Sequence, residues 1–462
     1  MFSTSLKAFL VASVPRPLKP LWSRLEASPI GYRLARGAFW SLLGTVAARV
    51  LALGASVLAA RLLGKGGFGE LGIIQSTMGM FGAVAGFGLG LTATKHMAEF
   101  RTANSERAGR ILRMSGLMSW LTGGLAAVAM AGLAPWLART SLAAPHLAGV
   151  LQLSALYLLL MTVNGNQMGV LAGFEAFQRI AWVNLWSGGL YFACMTVGCW
   201  WHGLTGAVWG LVAAQALGCL ISRRAIVQEA RAALVPILAP GWSREIPLLW
   251  RFSLPTVLTG VLGMPVAWIC QALVARQPNG YEQVADYYSA MQLRNIPLTL
   301  VGVIVAAILP VYAQTRSKDG PTAQRKVLRL TQALMVLTIL PLLLIMAVFA
   351  QPILLSYGKS FVTGSLILRL LLLSVVFEAL ANCQVQVMVG NGQVWPLFFF
   401  YLLGCLVFAG LALGLVPTML GTGLAWATVG WQAVRWLTSS LYLLLAGRTG
   451  GNVQQAPATL LS

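Results

Sequence analysis

Twelve apolar stretches in this 462-residue chain are each long enough to cross a lipid bilayer, and they constrain its fold more than any other feature. A helix of about 20 residues, rising 1.5 Å per residue, crosses roughly 30 Å of hydrocarbon. Because 58% of the residues are hydrophobic and only 9% are charged, the chain cannot cover its exterior with polar groups. The sequence therefore predicts an all-α integral membrane protein with spans near residues 37–60, 70–94, 114–138, 147–172, 180–201, 204–221, 247–275, 285–315, 328–350, 361–389, 394–416 and 421–446.

The basic residues lie mainly on one side of these spans. Of the 32 Lys and Arg residues, 23 fall in the two tails and the loops on the amino-terminal side, and five fall in the opposite loops. Positively charged loops stay in the cytoplasm, so both termini are predicted to be cytoplasmic. The net charge of +21 is then a feature of membrane topology and does not indicate nucleic-acid binding. The six cysteines lie in or beside apolar segments and the three histidines are far apart, so no metal or cofactor is predicted.

An internal repeat organises the chain. The stretch "ARLLGKGGFGELGIIQS" at 60–76 aligns with "ARQPNGYEQVADYYSAM" at 275–291, an offset of 215, and "LAGFEAF" at 171–177 aligns with "MVGNGQV" at 388–394. Each half holds six spans and enters from the same side, which predicts a parallel repeat of two six-helix lobes around a central cavity. The predicted divisions are a cytoplasmic tail at 1–36, an N-lobe at 37–221, a cytoplasmic linker at 222–246, a C-lobe at 247–446 and a second tail at 447–462.

Two glycine-rich stretches resemble nucleotide-binding loops but lack the required surroundings. Gly64, Gly66 and Gly69 have the spacing of a dinucleotide-binding loop, yet apolar helices flank them instead of a βαβ unit. We interpret this stretch as the tight turn between the first two spans. The segment "YGKSF" lacks the first glycine of a phosphate-binding loop, so the sequence predicts no ATP hydrolysis.

Charged residues inside spans are costly and therefore mark candidate functional positions. Arg49, Arg294 and Arg435 lie within the first, eighth and twelfth spans beside other polar residues, and they are candidates for a cationic cavity. A structural pairing with a backbone carbonyl or another helix is the alternative role. Arg369 joins this candidate set, although its position near the end of the tenth span also suits a side chain that reaches the interface.

Glu378 is the carboxylate well inside a span, with Asn382 one turn further along the same face. These two residues are candidates for ion coupling, and the alternative is an intramembrane ion pair with one of the arginines. Glu378 and Arg369 cannot pair with each other, because nine residues place them on opposite sides of a helix. Pro255 and Pro265 in the seventh span and Pro297 in the eighth are candidates for a gate or hinge.

Four stretches carry a resemblance to a known family: "ARLLGKGGFGELGIIQS", "VADYYSAMQL" at 284–293, "LSYGKSFVTGSLILRLL" at 355–371 and "GLAWATVGWQAVRWL" at 423–437. They resemble the Wzx-like polysaccharide flippases of the multidrug/oligosaccharidyl-lipid/polysaccharide (MOP) exporter superfamily. The family usually has Gly-Tyr-Tyr where this chain has Asp286, and its members often carry an acid near 268–274, where this chain has Cys270 and Gln271.

This resemblance implies a MATE-like pair of lobes and a secondary transporter of the bacterial inner membrane, not an enzyme. Its substrate would be an undecaprenyl-pyrophosphate-linked oligosaccharide, moved outward by alternating access for O-antigen, capsule or exopolysaccharide synthesis. Implied partners are membrane lipids, a polysaccharide polymerase and other assembly proteins, with the transporter acting as a monomer. The alternatives are a cation-coupled multidrug antiporter of the same fold and a membrane-embedded polymerase or glycosyltransferase. The only acids in the short outer loops, Glu70, Glu282 and Asp286, make the last alternative unfavourable.

Overall fold

The computed structural model describes residues 29–248, 262–391 and 393–446, and all regular secondary structure in these ranges is helical. Seven helical stretches are long and apolar enough to cross a membrane, and a shorter apolar helix covers Gly263–Ala275. The predicted class, an all-helical membrane protein, is confirmed. Pro255 and the two predicted tails before residue 29 and after residue 446 lie outside the described residues.

From residue 29, where the described part begins, the first half of the chain forms five α-helices. Asn104 begins the third of them, because its side-chain oxygen accepts a hydrogen bond from the backbone N–H of Arg107 at 2.9 Å. Shorter π and 3-10 turns, at Leu137–Ser141 and Pro145–Leu147, connect the third helix to the fourth. The α-helices are α1 (Pro29–Ala85), α2 (Leu89–Ala103), α3 (Ser105–Trp136), α4 (Ala148–Gly173) and α5 (Phe177–Ala232).

The second half follows a linker that carries a 3-10 turn at Trp242–Glu245. A further 3-10 turn, Lys359–Gly364, precedes the ninth helix. The α-helices are α6 (Gly263–Ala275), α7 (Gly280–Val348), α8 (Ala350–Leu355), α9 (Ser365–Gly390) and α10 (Val394–Ala446).

Residues with positive φ divide three of the long helices. Gly64 (φ 70°) breaks α1, Gly203 (φ 56°, ψ −132°) breaks α5, and Leu420 (φ 51°, ψ −126°) breaks α10. The predicted tight turn between the first two spans is therefore confirmed at Gly64, a conformation that glycine adopts without steric cost. Each of these helices carries two predicted spans.

The breaks also show the internal repeat in the backbone. Gly203 and Leu420 have nearly the same φ and ψ and are 217 residues apart. Gly64 and Asn279 both have positive φ and are 215 residues apart. These offsets are the ones at which the two halves align in sequence, so the turns of one half recur in the other. We call the end that carries these four residues the turn end, and the opposite end, with the loop around Asn104, the basic end.

The long helix α7 contains two spans that run in opposite directions. Near its start, Arg294 contacts Ser374 and Glu378 of α9, and Asp286 contacts Thr363 just before α9, so the two segments run parallel. Further along, three hydrogen bonds pair the two helices in antiparallel order: Gln324 with Asn391, Gln332 with Leu380 and Arg369 with Ala347. The chain direction therefore reverses within α7. This reversal accounts for the predicted spans eight and nine. Together with the three broken helices, it makes the structure consistent with twelve spans.

The two halves share a hydrophobic core at the turn end. Phe68 and Ile74 of α1 pack in one cluster with Trp268 of α6 and Ala285 of α7. A second cluster, towards the basic end, consists only of first-half residues and includes Met97, Ile111, Phe174 and Ile226. Among the described residues, the halves therefore meet at the turn end.

The linker is fastened to the first half by a buried carboxylate. Glu245 is 5% exposed and accepts hydrogen bonds from Arg107 and Arg110 of α3, each at 3.2 Å. Arg113 adds a bond to the carbonyl of Ala239 at 3.2 Å. The helix α5 also continues to Ala232, eleven residues into the segment predicted as linker. The connection between the halves is therefore held against α3.

We expect Glu245→Gln to loosen this linker. Losing a charged hydrogen-bonding partner costs about 2 kcal/mol, which corresponds to roughly thirtyfold more frequent local opening. Tryptic cleavage after Arg244 measures that opening. The control is Glu106→Gln, because the Glu106 side chain is 83% exposed and its contact with Arg110 is worth under about 1 kcal/mol. Equal cleavage of the two variants would contradict the anchoring role.

Candidate functional site

Arg294 is the most deeply buried of the predicted site arginines. It is 5% exposed, and its Nε donates a hydrogen bond to Ser374 Oγ at 2.9 Å. Its guanidinium also forms an ion pair with Glu378 of α9. Ser374 and Glu378 are four residues apart and so lie on one face of their helix. The intramembrane ion pair considered as an alternative role for Glu378 is therefore present, and its role in ion coupling stays a prediction.

The ion pair continues into α10. Gln432 donates from Nε2 to Glu378 Oε2 at 3.1 Å and accepts from Arg435 at 2.7 Å. The Arg435 guanidinium lies 5.0 Å from the centre of the Tyr401 ring, a cation–π distance. We call the set Arg294, Glu378, Gln432 and Arg435 the C-half polar chain; it joins α7, α9 and α10.

The charges of the C-half polar chain do not cancel. Two arginines share one carboxylate, so the chain carries one net positive charge. Arg294 is compensated by direct contact with Glu378, whereas the partners of Arg435 among the described residues are an amide oxygen and an aromatic ring. Arg435 is therefore the better placed of the two to attract an anion, and arginine binds phosphate oxygens bidentately.

Three of the predicted arginines lie at a common depth. Arg49 precedes the Gly64 break by fifteen residues, Arg294 follows Asn279 by fifteen, and Arg435 follows Leu420 by fifteen. At 1.5 Å per residue, each lies about 22 Å from the turn end. Arg49 is exposed and has no hydrogen bond to the described side chains or backbone. The structure therefore places the three arginines in one layer, and it connects two of them.

Arg369 does not belong to this layer. It lies five residues after Gly364, is exposed, and donates from Nε to the carbonyl of Ala347 at 3.1 Å. Its position suits a side chain that snorkels to the interface at the turn end. Asn382 is half-buried one turn beyond Glu378.

The candidate hinge prolines that the structure describes occupy different helical positions. Pro265 is the third residue of α6, in the first turn, where a missing N–H breaks no helical hydrogen bond. Pro297 lies inside α7, one turn from Arg294, where it removes one bond of the helix. Thr299 donates its hydroxyl hydrogen to the carbonyl of Asn295 at 2.8 Å in the same turn. A hinge role for these prolines stays a prediction.

A second polar cluster joins the halves at the turn end. Lys65 Nζ lies 2.8 Å from Asp286 Oδ2, 2.9 Å from Thr363 Oγ1 and 3.0 Å from the carbonyl of Ser360. Arg61 donates to the carbonyl of Ser356 at 2.7 Å. Sequence reasoning missed this contact, and the only signal for it was Asp286, an acid where the resembling family has glycine.

Aromatic residues close the same end below the Lys65–Asp286 pair. Phe68 is fully buried, with ring centres of Tyr288, Tyr357 and Phe361 within 5.2–6.0 Å. Deeper in the membrane, Trp268 donates to Thr77 at 2.8 Å. The arginine layer lies further from the turn end than this closure.

Comparison with known proteins gives a family and a fold. The family described as "Polysaccharide biosynthesis protein" matches residues 34–316. A search of curated protein sequences finds no match.

Solved structures show the same architecture. An inward-facing multidrug resistance MATE family transporter of the MOP superfamily has a TM-score of 0.72 at 16% identity, covering 88% of this chain and 96% of that chain. The eukaryotic MATE transporter AtDTX14 has a TM-score of 0.67 at 14% identity, covering 90% and 96%. An outward-facing multidrug resistance MATE family transporter has a lower TM-score of 0.60 at 16% identity, covering 90% and 97%. At these identities the likeness concerns the fold.

The family match extends over more than half of the chain, and the helices have the arrangement of the MATE transporters. The predicted resemblance is confirmed. The chain belongs to the polysaccharide biosynthesis protein family and has the fold of the MATE transporters.

Proposed function

We propose that this transporter moves a lipid-linked oligosaccharide, held by its pyrophosphate, across the bacterial inner membrane by alternating access. The observation that carries the proposal is the arginine layer in a chain of the polysaccharide biosynthesis family. A pyrophosphate in a low-dielectric cavity needs fixed cations, and Arg49, Arg294 and Arg435 supply them at one depth. The undecaprenyl tail stays in the bilayer, and aromatic and amide side chains meet the sugars.

The state in this structure suits loading from the cytoplasm. The halves meet at the turn end, and the TM-score is higher for the inward-facing MATE structure than for the outward-facing one. With the basic end in the cytoplasm, as positive loops favour, the substrate reaches the arginine layer from the leaflet in which it is made. The proposed product side is the periplasmic leaflet, where a polymerase would receive the glycan.

Glu378 is the proposed coupling group. Its carboxylate contacts Arg294, and loss of this contact would free the guanidinium to bind pyrophosphate. Membrane potential is a further source of energy, since one charge crossing 100 mV changes energy by about 2.3 kcal/mol. The antiporter alternative is less favoured, because the Arg294 contact leaves Glu378 no free carboxylate charge for a cationic drug.

Gene deletion followed by lipid analysis tests the function. A flippase mutant accumulates fully assembled, undecaprenyl-linked repeat units on the cytoplasmic face. Single units on the periplasmic face would indicate a polymerase instead, and normal glycans with new drug sensitivity would indicate an antiporter.

We expect Arg49→Ala to reduce export at least tenfold with normal membrane insertion. Its guanidinium lies at the depth of Arg294 and Arg435, and an arginine–phosphate contact contributes about 1.5–3 kcal/mol. The matched control is Arg369→Ala, because Arg369 bonds the carbonyl of Ala347 near the turn end and should not touch substrate. Export is measured as surface polysaccharide per transporter. Equal export by the Arg49 and Arg369 variants would contradict the proposal that an arginine binds substrate because of its depth in the membrane.

A further inference from the structure

A pocket of about 340 Å³ opens between the two spans of α5 at the basic end. Its size is that of a site for a small molecule or a headgroup. Its wall is mainly apolar and aromatic, and its rim carries guanidinium groups. The lining residues used below are Arg179, Trp182, Trp186, Ile221, Arg224 and Gln228.

Exposed tryptophans show that this side of α5 faces lipid. Trp182 and Trp186 are 58% and 59% exposed near the basic end, and Trp200 and Trp201 are 77% and 74% exposed near the turn end. From Trp182 to Trp201 the helix rises about 28 Å, close to the thickness of the hydrocarbon. Tryptophans concentrate at both membrane interfaces, so these two pairs mark the two interfaces on one lipid-facing surface.

The surface with the pocket is distinct from the one that packs on the first span. A Cβ added at Gly44 of α1 would lie 2.6 Å from Ala181 Cα, and one added at Gly188 would lie 2.8 Å from Ala48 Cα. Ala181 and Gly188 therefore face α1. Trp182 and Trp186 project about 100° or more away from that direction. The pocket is thus on the outside of the first half and apart from the arginine layer.

The cations of the pocket are not equivalent. Arg179 contacts Glu229 and Gln228, so its charge is compensated. Arg224 is exposed and forms no hydrogen bond or ion pair with the described residues. Its distance from the Gly203 break, 21 residues or about 31 Å, places it at the phosphate level of the basic-end leaflet. The Arg224 guanidinium, unpaired among the described residues, therefore lies at the phosphate level next to the apolar wall of the pocket.

We propose that this pocket binds the headgroup of an anionic phospholipid. Arg224 pairs with the phosphate, Gln228 is available to donate to headgroup oxygens, and the acyl chains lie along Trp182, Trp186 and Ile221. The chemistry favours an anionic over a zwitterionic headgroup, because the latter brings its own ammonium group to the same site. The occupant is a resident lipid of the bilayer and not the transported substrate.

Native mass spectrometry of the purified full-length transporter tests the site. The probes are phosphatidylglycerol, phosphatidylethanolamine and inorganic phosphate. We expect the wild type to retain phosphatidylglycerol, Arg224→Gln to weaken its binding at least fivefold, and Arg224→Lys to preserve most of it. The control is Arg223→Gln, which removes the same charge from an exposed residue that does not line the pocket; its binding should stay within twofold of wild type.

Three results would overturn the proposal. Equal binding by the Arg223 and Arg224 variants would mean a diffuse basic surface. Equal retention of phosphatidylethanolamine would mean ordinary annular lipid. Displacement of phosphatidylglycerol by inorganic phosphate at millimolar concentration would mean a free-anion site. None of these readouts depends on transport, so each can fail while the proposed flippase function stands.

Discussion

Export should fall at least a hundredfold when Arg294 is replaced by alanine. Arg294 is buried in the arginine layer and is one of the proposed pyrophosphate ligands. Two strong charged hydrogen bonds of about 1.5–3 kcal/mol each are lost from the bound state. Surface polysaccharide per inserted transporter measures the effect. Arg294→Lys should retain partial export, because lysine keeps the charge but loses the bidentate geometry.

The single alanine variant also leaves Glu378, whose side chain is 19% exposed, without its cation. Losing the charged partner of a partly exposed carboxylate costs about 1.5–3 kcal/mol, so a lower protein level is expected. The double variant Arg294→Ala/Glu378→Gln removes both charges and should recover the level. If Arg294 binds substrate, this double variant exports far less than Glu378→Gln alone. If Arg294 serves only to neutralise Glu378, the double variant exports as much as Glu378→Gln alone, and the proposed role is wrong.

Much of this fold could be predicted from the hydrophobicity of the spans and from the energetic cost of placing a charge inside a membrane. Spans are recognisable because lipid imposes a length and a composition on each one, and the repeat was visible in the turn around Gly64. The arginines were found because an intramembrane charge is too costly to keep without a role. Span composition, the repeated turn and the intramembrane charges are all properties of short stretches of the chain, so they can be recognised in a single sequence.

The pairing of those residues could not be predicted in the same way. Arg294 and Glu378 are 84 residues apart, and helix geometry alone excluded Arg369 as a partner without choosing among the others. Tyr401 carries no signal of its cation–π contact, because an aromatic residue in a span is ordinary. In the sequence, Lys65 and Asp286 look like ordinary charged residues of loops. They become buried only because two distant helices pack together.

The Lys65–Asp286 pair leads to the second large expected effect, on the equilibrium between the two faces of the transporter. Asp286 is 1% exposed and its Oδ1 has no partner among the described residues, so Lys65 and Thr363 on Oδ2 stabilise it almost alone. When the turn end opens, water reaches both groups. The pair therefore stabilises the closed state relative to the open one, and removing Lys65 should favour opening by about 2 kcal/mol or roughly thirtyfold.

Opening can be measured with a cysteine at position 56. Ser56 is 2% exposed beneath the turn end, and Ser56→Cys is nearly isosteric. We expect a membrane-impermeant maleimide to label this cysteine at least tenfold faster in Lys65→Met and in Asp286→Asn. The control is Lys359→Met, which removes a charge from an exposed lysine at the same end.

The charge exchange Lys65→Asp/Asp286→Lys separates an ion-pair role from packing. It rebuilds the pair with reversed polarity and should restore most of the protection that Lys65→Asp alone destroys, since that single change puts two carboxylates together at a buried site. Protection equal to wild type in every variant would mean that the aromatic contacts of Phe68 close the turn end unaided. If the Lys65–Asp286 pair does set the equilibrium between the two faces of the transporter, export falls in both Lys65→Met and Asp286→Asn. A transporter that favours the open turn end spends less time accessible to substrate in the cytoplasmic leaflet.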